Sequence, residues 1–429
     1  MFQVLSSMWR EAEIRRKIVF TLLMLIIFRI GTYIPVPDIN TELINFSDSS
    51  AFGLFNTFGG GALQNFSILS MGIMPYITSS IIVQLLQMDV VPKLTEWSKQ
   101  GEMGRRKLNQ LTRYGTIVLG FVEALGLSYT FSNSYQGLVS NPTIWTFLII
   151  ALVLTTGTAF LVWLGDQITA YGVGNGISII IFAGIVARIP TAVSQIYAQR
   201  FASSTNTFME VLGLLAIVVI VLLIVVGTIF VQQGTRKIPI QYAKRTVGTK
   251  TYSVEPTHLP IKVNAAGVIP VIFAISLMIT PPTIARFFPE NNVTAWIIRV
   301  FDYSTVYGMI IYAVLIIAFT YFYTFVQVNP EKMAKNLGEQ GGYIPGIRPG
   351  KSTEKYITKI LYRLTFLGAI FLTAISLLPI VFGEIGNLPT SARIGGTSLL
   401  IVVGVALDTM KRIESQLIKK NYQGFIRKR

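Results

Sequence analysis

The chain has 429 residues, is 52% hydrophobic and only 13% charged, and carries a formal net charge of +16. A mean hydropathy of +0.58 with long continuous apolar runs excludes a soluble globular protein, and the lack of apolar–polar alternation excludes a membrane barrel. With no cysteine and a single histidine, His258 in "PTHLP", disulfides and thiolate or imidazole metal sites are excluded too.

What remains is an all-α polytopic membrane protein, because only helices satisfy their own backbone groups in lipid. In chain order the predicted spans are 18–34, 72–88, 114–131, 144–164, 177–189, 211–231, 265–280, 307–328, 362–382 and 395–408. The first follows a basic N-terminus. Its apolar run ends in "YIPVP" without a small-residue cleavage site, so it reads as a retained span and not as a signal peptide. Before the second span, three consecutive glycines, Gly59 to Gly61, are followed by the polar residues Gln64, Asn65 and Ser67. The stretch "YGVGNGIS" (171–178) lacks the preceding strand and downstream acid of a dinucleotide loop, and is expected to be a flexible turn opening the fifth span. The basic segment 236–262 mixes β-branched and aromatic residues and predicts a β-ribbon.

Lys and Arg are distributed unevenly. The N-terminus, the loops 89–113, 233–263 and 329–361, and the tail 411–429 together hold 29 of the 36. The positive-inside rule then puts both termini in the cytosol. Arg29 lies near the outer end of the first span, where it can anchor by snorkelling. The basic loops are long enough to be docking surfaces, and "PGIRPG" predicts an exposed tip at Arg348.

Two short echoes suggest a repeat. The second span opens with "GIMP" (72–75) and the seventh with "GVIP" (267–270), while the fifth and tenth are both short and glycine-led. An offset of five spans gives two halves, 1–210 and 211–429, of opposite topology, with the working site at their interface.

Few residues offer chemistry. No paired carboxylates, nucleophile triad or phosphate cradle is visible, so an enzyme is not expected. An ion-coupled secondary transporter of a small solute is the alternative, and its supply of membrane charges is thin: Glu123, Arg29 and Asp408.

The stretches "FNTFGGGALQNFSILSMGIMPYITSSIIVQLL", "QGEMGRRKLNQLTRYGT", "GNGISIIIFAGIVA", "THLPIKVNAAGVIP" and "GGTSLLIVVGVALD" together resemble the SecY family, the channel subunits of the general protein-secretion translocon. The likeness runs over essentially the whole chain. It implies ten transmembrane helices in two inverted five-helix halves, in a bacterial cytoplasmic membrane, with no cofactor. It implies a re-entrant plug at Gly59, Gly60, Gly61, Ala62, Leu63, Gln64, Asn65, Phe66 and Ser67. A helix over Ala62–Ser70 would be about 13 Å long, too short to span, with Gln64, Asn65 and Ser67 facing a wet funnel.

By the same resemblance, Ile73, Ile77, Ile177, Ile181, Ile272 and Ile401 form an apolar pore ring. Thr78, Glu123 and Asn264 form a polar cluster at a lateral gate between the second and seventh spans. Lys244, Arg245, Lys250 and Arg348 are contacts for a cytosolic partner. The implied partners are SecE- and SecG-type small membrane subunits, the SecA motor, the ribosome, signal peptides and secretory polypeptides, and the lipid bilayer, without sequence-specific nucleic acid binding. The implied function is a protein-conducting channel that also releases hydrophobic segments into lipid.

Overall fold

The computed structural model describes residues 11–41, 56–88, 90–135, 137–201, 207–242, 245–247, 250–252, 257–285, 288, 291–302, 305–385 and 395–426. A helix stands at every predicted span: α1 (Ala12–Gly31), α2 (Met74–Leu86), α4 (Glu102–Ser134), α5 (Ile144–Tyr171), α6 (Gly176–Phe201), α7 (Thr207–Gln233), α8 (Ile269–Ala285), α10 (Val306–Gln327), α12 (Lys351–Ile385) and α13 (Gly395–Ile426). Between them lie the shorter helices α3 (Pro92–Lys99), α9 (Asn292–Val300) and α11 (Pro330–Glu339). Six helices among the described residues are long and apolar enough to cross a membrane by length and composition alone.

The two shortest apolar helices are α2, of 13 residues, and α8, of 17. At 1.5 Å per residue they measure about 20 and 26 Å, less than the roughly 30 Å hydrocarbon core. Both start by the same device. A glycine with positive φ, Gly72 at 56° and Gly267 at 67°, turns the chain. Two residues on, the helix begins, and its second residue is a proline, Pro75 or Pro270. Proline costs nothing in a first turn, where its missing N–H has no intrahelical partner to lose. The sequence echo at "GIMP" and "GVIP" is therefore an echo of backbone conformation as well. The two helices pack against each other, and α8 also touches α4.

The basic loops form a small unit of their own. Strand β1 (Thr235–Tyr242) pairs antiparallel with β4 (Thr257–Lys262), with Ile238 opposite Leu259, and β2 (Arg245–Val247) pairs with β3 (Lys250–Tyr252). The predicted ribbon is present, and His258 lies in β4 opposite Pro239. Strand β5 (Gly342–Tyr343), from the other basic loop, adds to β1 with Gln241 opposite Tyr343. Ile238, Ile240, Ile261, Leu337, Ile344, Ile357 and Leu361 then share one apolar core, so the two loops are a single packed body.

The turn 171–175 is tied down on several sides, contrary to the flexible turn expected. Thr21 Oγ1 accepts from the Val173 amide at 3.1 Å, and Thr169 Oγ1 accepts from the Gly176 amide at 2.9 Å. Asn175 Oδ1 accepts from the Ile177 amide at 3.2 Å, satisfying a first-turn donor of α6. Val173 packs with Ile14 and Ile413, which joins α1 to α13 at this end.

Candidate functional site

The segment 59–72 does not span. It lies inside the helical bundle, with Ala62, Leu63 and Phe66 each 0% exposed and Leu69 and Met71 each 1%. It belongs to the same apolar core as α2, α5, α6 and α8. The expected short helix over Ala62–Ser70 is absent. The segment is a succession of turns: Gly61 N–H donates to Asn56 O, Phe66 N–H to Leu63 O, Ser67 N–H to Ala62 O and Gly72 N–H to Leu69 O. Two physical causes prevent a helix. Gly60, Gly61, Phe66 and Gly72 all have positive φ, which breaks right-handed continuity. The Ile68 amide is also drawn sideways to Ile34 O at 3.0 Å, and Phe66 O accepts from the Val36 amide at 3.0 Å, forming a bridge from Pro35 to Ser67.

The polar residues of the segment divide. Gln64 is exposed and Asn65 half-buried, as a wet surface requires. Ser67 is 0% exposed, which corrects the expectation that it faces a funnel. Buried, it is occupied locally: its amide bonds to Ala62 O, and its Oγ accepts from the Leu69 amide at 3.3 Å. Side chains outside the segment complete its backbone. Asn56 Oδ1 accepts from the Gln64 amide at 3.1 Å, and Arg29 Nη1 donates to Gly60 O at 2.6 Å. Arg29 is thus a tie to the segment and not merely a membrane anchor.

Two helices make room for the segment by carrying glycine. A Cβ at Gly157 of α5 would collide with the Ile68 carbonyl, and one at Gly184 of α6 would stand 2.6 Å from Phe58 O. Gly184 continues the row Ile177, Ile181, Gly184, Arg188 at helical spacing on one face of α6. Neither glycine nor Arg188 was singled out from the sequence, although that row is readable there.

The six isoleucines all belong to or border one large apolar core. Ile73, Ile77, Ile181, Ile272 and Ile401 are buried in the core that holds the segment, and Ile177 packs against it half-buried. Ile401 is 0% exposed and Ile272 only 9%, so none of the five faces outward.

The polar trio does not bond into a cluster. Thr78 Oγ1 donates to Met74 O of its own helix at 3.1 Å. Asn264 closes its own turn, donating to Gly267 O and accepting from the Gly267 amide, both at 3.0 Å. Glu123 Oε2 is buried without a partner. The reason is local competition: a threonine in a helix and an asparagine before a glycine turn find nearer backbone partners. Of the docking residues, Lys244 lies outside the described residues, Arg245 and Lys250 lie in β2 and β3, and Arg348 is exposed at the tip between Gly346 and Gly350.

Comparison with known proteins agrees with this architecture. A sequence profile described as SecY matches residues 67–410. The chain is 63% identical over 430 residues to the protein translocase subunit SecY of Bacillus licheniformis, covering 100% of both chains. It is 62% identical over 430 residues to that of Bacillus subtilis, again covering 100% of both. Its fold is similar to a solved structure described as a protein conducting channel, with TM-score 0.64 and 18% identity over 95% of this chain and 93% of that one. It is also similar to Sec61 in the canine ribosome–channel complex, with TM-score 0.62 and 16% identity over 95% and 93%. With its full-length relatives, its polytopic helical fold and a non-spanning segment buried among its helices, the chain belongs to the SecY family.

Proposed function

We propose that this channel passes unfolded secretory polypeptides from the cytosol across a bacterial cytoplasmic membrane, with the segment 59–67 as its plug and the six isoleucines as its constriction. The observation that carries the reading is the position of that segment: a non-spanning stretch buried in the same core as the isoleucines. An apolar collar dewets and so resists ions. It also offers a sliding peptide no hydrogen bond to hold it. Release of the plug from its seat on α5 and α6 opens the path.

The contact between α2 and α8 supports a lateral gate. Both helices are short and start at a glycine turn, so each half of the chain contributes one gate helix in a pair of inverted halves. A leucine near the bilayer centre gains about 0.3–0.6 kcal/mol and an arginine loses roughly 2.5–3.5 kcal/mol. A signal peptide or anchor helix therefore leaves sideways, while a polar segment continues through.

The packed basic unit is the docking platform, with Arg348 at its tip, for a ribosome or the SecA motor. Both termini and this unit are cytosolic, following the charge asymmetry. SecE- and SecG-type small subunits complete the complex in the membrane. The chain itself catalyses nothing in this scheme, because its partners supply the free energy.

The comparisons give the ion-coupled transporter no support, although Glu123 is a buried acid. Arg29 is engaged with Gly60 and Tyr33, and Asp408 is exposed beside Arg412 at 2.9 Å. The deciding experiment exploits the cysteine-free sequence. Single cysteines at Ile77 and Ile272 should both crosslink to a secretory chain stalled in transit. Absence of crosslinks at both, with the chain demonstrably engaged, would remove the reading.

A further inference from the structure

Two arginines from different helices flank the glycine run. Arg29 of α1 donates to Gly60 O at 2.6 Å and to the Tyr33 hydroxyl at 2.7 Å, with its guanidinium 4.8 Å from the Tyr33 ring centre. Arg188 of α6 stands two turns beyond Ile181 on the same helix face, about 10 Å further along the axis. Its Nη1 is buried, has no hydrogen-bond partner, and lies 3.9 Å from where a Cβ on Gly61 would be. The two guanidiniums thus border the adjacent glycines Gly60 and Gly61. Among the described residues, no carboxylate pairs with either one.

An unpaired buried guanidinium N–H is costly, and a second like charge beside it adds to the cost. A single small anion between the two groups relieves both. We infer that Arg29 and Arg188 form an anion site against Gly60 and Gly61, taking a monovalent anion such as chloride. Guanidinium is weakly hydrated and suits such a ligand. The bound anion joins α1 to α6 across the glycine run. On the plug reading of the proposed function, it therefore favours the closed channel, although binding itself does not depend on that reading.

The test uses the purified channel complex with its small subunits. Thermal unfolding is followed in potassium chloride and in potassium gluconate, a bulky anion, at equal ionic strength. The same complex in liposomes is assayed for potassium leak. Chloride is expected to raise the unfolding midpoint by a few degrees in a saturable way, and to lower the leak severalfold. Arg188→Gln is expected to remove both chloride effects while unfolding in gluconate no earlier than the parent. Arg299→Gln, at an exposed arginine of α9, is expected to keep both. Equal midpoints in the two salts, or a chloride effect that survives Arg188→Gln, would overturn the site. The salt comparison on the parent complex stands even if a variant fails to fold. Failure of the channel reading would appear separately, as missing crosslinks to a stalled secretory chain.

Discussion

Gly184 of α6 meets Gly60 backbone to backbone: a methyl group at Gly184 would lie 3.2 Å from the Gly60 amide nitrogen and 2.6 Å from the Phe58 carbonyl. Both obstacles are main-chain atoms, which cannot rotate away as a side chain can. Overpacking of this kind costs about 1–3 kcal/mol. Gly184→Ala is therefore expected to shift the seated-to-released ratio of the plug by roughly 5- to 150-fold, seen as increased ion leak in planar bilayers. Gly120→Ala is the control, because the nearest atoms to its methyl would be side-chain atoms of Pro75 and Thr155 at 3.6–3.8 Å, an ordinary contact distance. Equal leak from the two variants would refute a tight seat.

The proposed collar is tested at Ile77 of α2 and Ile272 of α8. Serine at both positions adds hydroxyls where water is otherwise repelled. Ion conductance with the plug deleted is expected to rise beyond that of plug deletion alone. If conductance is unchanged, these side chains do not line the path.

Arg348 is exposed, and the hydrogen bond it accepts from Thr353 Oγ1 at 2.9 Å is made by its backbone carbonyl. Its side chain is free for a partner. Arg348→Glu should change stability by no more than about 0.5 kcal/mol, as surface substitutions do, and should lower motor-driven translocation sharply. Reconstituted vesicles measure the rate, and a thermal melt checks the fold. Normal transport in this variant would move the docking contact elsewhere.

Ile357 is 0% exposed in the core shared by the two basic loops. Ile357→Ala is expected to cost about 2–5 kcal/mol of local stability. Limited proteolysis should then cut both loops faster, 233–263 as well as 329–361, while the spans stay protected. Faster cleavage of only one loop would show that the two are independent.

The membrane class and a helix at each predicted position were legible in the residues, because apolar length is a local property that lipid reads directly. The ribbon at 236–262 was legible for a similar reason, its β-branched residues favouring extended backbone. So was the echo at Gly72 and Gly267, since a glycine turn followed by proline prescribes its own geometry. The proposed pore ring rests on family resemblance. An isoleucine on a helix looks the same whether it faces lipid, a neighbour or a pore.

The residues by themselves showed a glycine run and polar residues ahead of the second span, and the family resemblance made that stretch a non-spanning segment. Only the tertiary structure decided that it is a chain of turns, because its Ile68 amide and Phe66 carbonyl are paired across to Ile34 and Val36 and not along a helix. Thr78 and Asn264 are the opposite case, because their hydrogen bonds go to backbone groups three or four residues away. The union of the two basic loops through β1 and β5 is invisible in either loop alone. The turns of the segment and the union of the loops depend on contacts between residues far apart in sequence, where local preference has no say and packing settles the competition between partners.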